Sequence, residues 1–189
     1  DGFEYKVLAS FGDEISDQDT FGMHNDYLNF FQDENNENEG VLWVNHEYFD
    51  STLLQTNTGE KTKEKVDLER YVCGGSIVKI RKDETGKWNI VKNDRANKRL
   101  TGASKIPFHW DEAIAGKNSA MGTFAGCAGG ITPWGTILSC EENTDSFYGD
   151  NVYDEITGEI TDRVPSYYGW EKHFDNSPEH YGWVVEVNP

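Results

Sequence analysis

The side chains best suited to metal chemistry lie at the ends of two short apolar runs and in a glycine-rich bend. Glu47 ends the run at residues 40–47, Glu142 ends the run at residues 135–142, and Cys127 lies just before the second run. Carboxylate oxygens suit calcium, whereas a thiolate suits iron or another transition metal. These residue types predict a metal site that can hold more than one kind of ion.

The two runs align without a gap, each as a glycine, an apolar strand and a terminal glutamate. A single glutamate at a strand end is most simply a solvated carboxylate. Two at equivalent strand ends would face one shared space, where cations must offset their repulsion. Asn25, Asp26 and Asn45 are short oxygen donors at comparable places, and they are either additional ligands or turn caps.

The strands around these runs predict an all-β fold with long irregular loops. One repeat unit spans about residues 20–95 and a second about 120–189, with third strands that start at Gly75 and Gly182. Four-stranded antiparallel sheets repeated around an axis form a β-propeller, so we expect a partial β-propeller. An ordinary β-sandwich with chance resemblance between hairpins is the alternative.

The ends of the chain and its connections carry further expectations. Two units cannot close a ring, so residues 1–189 are expected to be the N-terminal fragment of a single propeller domain that continues past Pro189. Exposed sheet edges in such a piece favour oligomerisation. Residues 3–11 alternate imperfectly and predict a first strand, and the polar stretch at residues 51–70 contains a candidate short helix.

Composition limits the classes of partner. The 189 residues carry a formal net charge of −17, and only 36% are hydrophobic. This charge would repel nucleic acid and an anionic membrane surface, so neither is expected as a partner. It suits cation binding, and equally a protein kept soluble in a salty medium. The odd number of cysteines, Cys73, Cys127 and Cys140, argues against a complete disulfide framework.

Common catalytic motifs are missing from the sequence. It has no phosphate-binding Gly-x-x-x-x-Gly-Lys loop, no Gly-x-Ser-x-Gly elbow and no EF-hand spacing. His46 precedes Glu47, but the second histidine of a helical zinc motif is missing. Hydrolytic chemistry in this chain would therefore have to be assisted by metal ions.

Several stretches resemble the PhoX-type alkaline phosphatases, in the same order along the chain. They are Phe21–Tyr27, Trp43–Tyr48, Cys127–Thr136, Cys140–Asn143 and His180–Glu186. The resemblance implies a six-bladed β-propeller, of which this chain would form about the first two blades. It also implies export through the twin-arginine route to the periplasm or beyond the cell, and hydrolysis of small phosphate monoesters at a cluster of Fe3+ and Ca2+.

The same resemblance assigns roles to individual residues. Cys127 would be the thiolate ligand of iron, and Glu47 would be a carboxylate ligand of the cluster. The assignment of Glu142 as a ligand rests mainly on the internal repeat. Ala125 and Gly126 stand where the family usually has two asparagines. Members of the family are much longer, so the fragment alone is expected to be inactive. The alternatives are a non-catalytic calcium-binding propeller module, which would carry calcium without iron, and a calcium-dependent lactonase, which needs no thiolate.

Overall fold

Short strands form most of the secondary structure. The computed structural model describes residues 2–189. Its strands are β1 (Asn25–Asp33), β2 (Asn36–His46), β3 (Gly74–Lys82), β4 (Trp88–Ile90), β5 (Lys98–Leu100), β6 (Lys105–Pro107), β7 (Ser119–Met121), β8 (Gly126–Ile131), β9 (Ile137–Glu141), β10 (Asp150–Tyr153), β11 (Ile160–Val164) and β12 (Val184–Val187). The helices are α1 (Lys63–Val72) and α2 (Asp145–Tyr148), with 3₁₀ turns at Trp170–Lys172 and Pro178–His180.

All strand pairs are antiparallel, and two sheets carry the repeat. The first sheet has the order β1-β2-β3-β4, with β5 also paired to β3, and the second has the order β8-β9-β12. Two separate hairpins, β6-β7 and β10-β11, lie in the connections. The expectation of a mostly β chain with long loops is confirmed. No helix among residues 2–189 is long and apolar enough to cross a bilayer.

The N-terminal segment differs from its expectation. Residues 3–11 form no strand, and Phe3, Tyr5 and Val7 point into solvent. An alternating pattern forms a strand only where a neighbouring strand pairs with its backbone N–H and C=O groups. Within residues 2–189, no strand pairs with this segment. The candidate helix is real but starts late: Thr62 caps α1 by accepting a hydrogen bond from the Lys65 backbone N–H.

The two repeat units have the same backbone irregularity in their first hairpin. In β1-β2, Asn25 lies opposite His46 but Leu28 lies opposite Val44, so that two residues oppose one. In β8-β9, Gly126 lies opposite Glu141 and Gly129 opposite Ser139, the same one-residue shift. Such a β-bulge bends a strand and re-aims its side chains. The registers make Asp26 the counterpart of Cys127, Asn45 that of Cys140, and Glu47 that of Glu142.

The residue before each of these first strands confirms that the two hairpins share one backbone shape. His24 and Ala125 occupy equivalent places, and both have left-handed backbone angles, φ of 51° and 54°. The His24 carbonyl accepts a hydrogen bond from the Glu47 N–H at 2.9 Å, and the Ala125 carbonyl accepts one from the Glu142 N–H at 2.9 Å. The repeat seen in the sequence is therefore a repeat of conformation.

The facing surfaces of the two sheets pack directly on each other. Their shared core comprises Trp43, Ile77, Ile137, Val185 and Val187. Strands β1 and β8 approach closely because Gly129 lies flat against the Tyr27 ring, where any Cβ atom would overlap the ring. The first strands of both sheets are therefore neighbours, and the bulges of both lie at one edge.

A second core lies beside that edge, built from the long connections after β2 and β9 and from the segment that leads into β8. Phe124 is completely buried there and contacts four aromatic rings, those of Phe147, Tyr148, Trp170 and Tyr181. Helix α1 is tied to the same core through Glu69, whose buried carboxylate accepts from the Trp170 indole at 2.9 Å. This aromatic core supports the loops that flank the bulges.

Candidate metal centre

Three side chains with metal-binding atoms converge where the two bulges meet. The carboxylates of Asp26 and Glu47 and the thiol of Cys127 each place one ligand atom within 4.8 Å of the others. Glu47 and Cys127 are half-buried, and Asp26 is exposed. Two residues come from the first sheet unit and one from the second, so the cluster exists only because the sheets pack together.

Backbone hydrogen bonds hold the cluster from both sides. The Glu47 N–H is bound by the His24 carbonyl, two residues before Asp26. The Glu47 carbonyl in turn accepts from the Ala125 N–H at 2.9 Å, two residues before Cys127. The backbone of Glu47 therefore links the two bulges, and it fixes all three ligand-bearing segments relative to one another.

The cluster is electrostatically unfavourable as a set of free side chains. Desolvation, followed by the negative charges of Asp26 and Glu142, raises the pKa of Glu47 to about 7. Desolvation and a hydrogen bond to Asp26 raise the pKa of the Cys127 thiol to about 11. A bound cation would reverse both shifts, because it favours the ionised form of every group. Two carboxylates and a thiol thus fit a site for metal.

Glu142 lies at the border of this cluster. It is exposed, and its charge contributes to the raised pKa of both Glu47 and Cys127. Asn143 donates through Nδ2 to Glu142 Oε1 at 2.7 Å and to the Tyr48 hydroxyl at 3.1 Å. The Tyr48 ring stacks on Phe147, 5.7 Å between centroids.

Tyr48 and Asn143 border the cluster, although the sequence patterns predicted neither of them as a metal ligand. Each directly follows one of the two repeated glutamates, Glu47 and Glu142, and this position in the repeat was the available signal. Desolvation raises the pKa of the Tyr48 phenol, and the nearby carboxylates and the Cys127 thiol add to the effect. Tyr48 therefore faces the same space as the cluster.

The two asparagines named as candidate ligands have different surroundings. Asn25 starts β1 and is exposed beside Asp26. Asn45 is fully buried between the two sheets, where its side chain bonds the Ser139 hydroxyl and the backbone carbonyl of Cys127. The other two cysteines are free thiols: Cys73 is buried, and Cys140 is half-buried on β9.

The model of the family described as "Alkaline phosphatase PhoX" matches residues 1–189. The chain belongs to this family. No curated protein sequence matches it significantly.

One solved structure is similar over nearly the whole chain. It is described as Pseudomonas fluorescens PhoX in complex with vanadate, a transition state analogue. The sequences are 25% identical and the TM-score is 0.77. The match covers 96% of this chain but only 38% of the neighbour, so this chain spans well under half of the length of its PhoX relative.

Proposed function

We propose that this chain contributes a metal centre to an alkaline phosphatase that hydrolyses small phosphate monoesters with Fe3+ and Ca2+ in the periplasm or outside the cell. The observation that carries the proposal is the convergence of Asp26, Glu47 and Cys127 within 4.8 Å in a chain of the PhoX family. The vanadate complex of the Pseudomonas relative supports it, because vanadate in that complex is described as a transition state analogue.

The proposal includes the place of the chain in a larger fold. Residues 1–189 would form the N-terminal part of one β-propeller, with units at about 20–95 and 120–189 as its first blades. The 38% coverage of the PhoX relative supports this arrangement. Later segments would then supply the remaining ligands, and this part alone would be inactive. Until those segments cover them, its exposed sheet edges would favour oligomerisation.

Each residue of the cluster has a role that follows from its chemistry. The Cys127 sulfur would bind iron, and Glu47, Asp26 and Glu142 would offer oxygens to iron or calcium. Bound metal ions would neutralise the phosphoryl oxygens and supply an activated oxygen nucleophile. The carboxylates alone would repel a phosphate ester, since both carry negative charge. The acidic cluster therefore selects for cations first and gains affinity for phosphate only through them.

Metal analysis tests the assignment directly. The full-length enzyme is loaded with Fe3+ and Ca2+, dialysed, and its metal content is measured beside Cys127→Ser and the matched thiol control Cys140→Ser. We expect iron to be lost from the first variant and kept in the second, with calcium kept in both. Iron retained by Cys127→Ser would refute the thiolate ligand. Calcium without iron in the unmodified chain would favour the non-catalytic calcium-binding module instead.

Activity provides the second test, in the full-length enzyme. Cys127→Ser should abolish turnover of a chromogenic phosphate monoester, whereas Cys140→Ser should not. Turnover that survives the loss of the Cys127 sulfur would contradict the proposed centre.

A further inference from the structure

The Asn45 side chain makes three hydrogen bonds close to the cluster. It is completely buried. Its Oδ1 accepts from the Trp43 indole N–H at 2.8 Å and from the Ser139 hydroxyl at 2.9 Å. Its Nδ2 donates to the backbone carbonyl of Cys127 at 3.2 Å. The amide thus connects the first sheet to the second, and it ends on the residue that carries the thiol.

These bonds exclude Asn45 from direct metal binding. An amide oxygen has two lone pairs, and Trp43 and Ser139 occupy both. The remaining atom, Nδ2, is a donor and does not bind cations. The equivalent residue in the second unit, Cys140, also lies opposite the bulge.

The hydrogen bond from Asn45 reaches Cys127 at the β-bulge of β8. Cys127 and Ala128 are the two bulge residues that oppose one residue of β9, so the ordinary strand ladder is interrupted there. At this bulge the Asn45 amide donates a hydrogen bond to the Cys127 carbonyl. Holding this carbonyl restrains the backbone at Cys127, and with it the direction of the Cα–Cβ bond that carries the thiol.

We propose that Asn45 is a positioning residue, which aims the Cys127 thiol at the carboxylates of Asp26 and Glu47 by fixing the Cys127 carbonyl. The expected effect on metal binding rests on the proposed metal site. The hydrogen bond between Asn45 and Cys127 does not depend on it. Hydrogen bonds that orient a metal ligand without touching the metal are worth about 10–100-fold in affinity. Loss of the Asn45 donor should reduce affinity by that factor.

Asn45→Asp is the most direct variant, because it keeps the two acceptor bonds and replaces the donor with an oxygen. Ser139→Ala is the matched control, since it also removes one bond of Asn45 but leaves the bond to Cys127. Co2+ serves as the probe, because thiolate ligation gives it a charge-transfer absorption band. We expect about 10–100-fold weaker Co2+ binding and a weaker band in Asn45→Asp, and values close to wild type in Ser139→Ala.

Gly126→Ala tests the same contact without a buried charge, in case Asn45→Asp fails to fold. An added Cβ at Gly126 would lie 2.9 Å from Ser139 Oγ and 3.2 Å from Asn45 Nδ2. It would crowd the Ser139 hydroxyl most and push the Asn45 amide by a few tenths of an ångström, which weakens the bond of the amide to Cys127. We expect the same loss of Co2+ affinity and of the band as in Asn45→Asp. A Gly126→Ala protein that binds Co2+ as wild type would overturn the proposal.

A double-mutant cycle separates positioning from a general structural effect. In a Cys127→Ser background, Asn45→Asp and Gly126→Ala should have no further effect on Co2+ affinity, because no sulfur remains to be aimed. Equal losses with and without the sulfur would show that Asn45 merely supports the fold, and the proposal would be wrong.

Failure of the metal site itself is distinguishable from failure of this inference. If wild type shows no thiolate band, Cys127 is not a ligand and the proposed function loses its support. The positioning claim is then tested on metal-free protein in a Cys140→Ser background, where the buried Cys73 leaves Cys127 as the accessible thiol. Asn45→Asp and Gly126→Ala should change the rate of its reaction with a disulfide reagent more than Ser139→Ala does; equal rates would refute the claim.

Discussion

Removing one charge from the cluster should stabilise the protein when no metal is bound. Glu47 lies within 4.8 Å of an atom of Asp26 and of Cys127, and its pKa is raised to about 7. The ionised cluster therefore opposes folding unless cations are present. Glu47→Gln keeps the size of the side chain and removes its charge, so the metal-free variant should be more stable than wild type and should bind metal less well.

The magnitude follows from the separation of the charges. At the upper limit of that separation, 4.8 Å, two unit charges repel by about 0.9 kcal/mol in water and about 3.5 kcal/mol at the effective dielectric constant of a protein surface. Because Asp26 is exposed, the lower end applies, and we expect a gain of about 1 kcal/mol. For a chain of this size that gain corresponds to a rise in Tm of about 2–4 °C.

The sign of the pH dependence is fixed by the direction of the shift. The pKa of Glu47 is raised from 4.5 to about 7 on folding, so wild type loses stability as the pH rises through this window. A glutamine does not titrate. The advantage of Glu47→Gln should therefore be small near pH 4.5 and fully developed above pH 7.

Thermal unfolding in a chelator, repeated with added Ca2+, measures both effects. Glu37→Gln is the matched control, because Glu37 is exposed near the β1-β2 turn and its removal changes the net charge equally. Added Ca2+ should raise the Tm of wild type and of Glu37→Gln, and should raise that of Glu47→Gln much less. A Glu47→Gln protein less stable than wild type in chelator above pH 7 would refute the electrostatic reasoning.

Three further outcomes follow from packing. Gly129→Ala should lower the free energy of unfolding in urea by about 1–3 kcal/mol, because its Cβ would overlap the Tyr27 ring. Gly130→Ala, with open space around it, should be nearly neutral. Equal effects of the two variants would contradict the close approach of β1 and β8. Phe124→Ala should lose about 3–5 kcal/mol by the same measurement, and a loss under about 1 kcal/mol would mean that the aromatic core is loosely packed. Burial raises the pKa of the Cys73 thiol, so thiol titration should detect Cys73 only after unfolding, and its prompt reaction in native protein would show that the core opens.

The sequence predicts the family and the β-rich character because both depend on local signals. The motifs around Trp43–Tyr48 and Cys127–Thr136 are contiguous, and the match of the PhoX model to residues 1–189 confirms the recognition. The pairing of Glu47 with Glu142 was also readable, since the two runs align without a gap and their backbones proved equivalent.

Features that depend on register and on packing between sheets were not readable. Aligning glycines pairs Gly75 with Gly182, but the strand registers pair Gly75 with Val184, because Gly75 lies opposite Asn45 and Val184 opposite Cys140. The role of Asn45 was equally hidden, since its partners Ser139 and Cys127 are more than eighty residues away. Residues 3–11 show the opposite error: their alternating pattern predicts a strand, but no neighbouring strand in the described part of the chain pairs with them.

The repeated bulge has a consequence for how such a centre can diversify. At the same point of two hairpins with the same bulge, one copy presents an oxygen from Asp26 and the other a sulfur from Cys127. The two copies share their backbone geometry, but the side chain at this position, and with it the donor atom, differs between them. A duplicated scaffold of this kind can exchange a hard ligand for a soft one by a single substitution, with the surrounding architecture left intact. Ion preference and fold are thereby free to evolve independently.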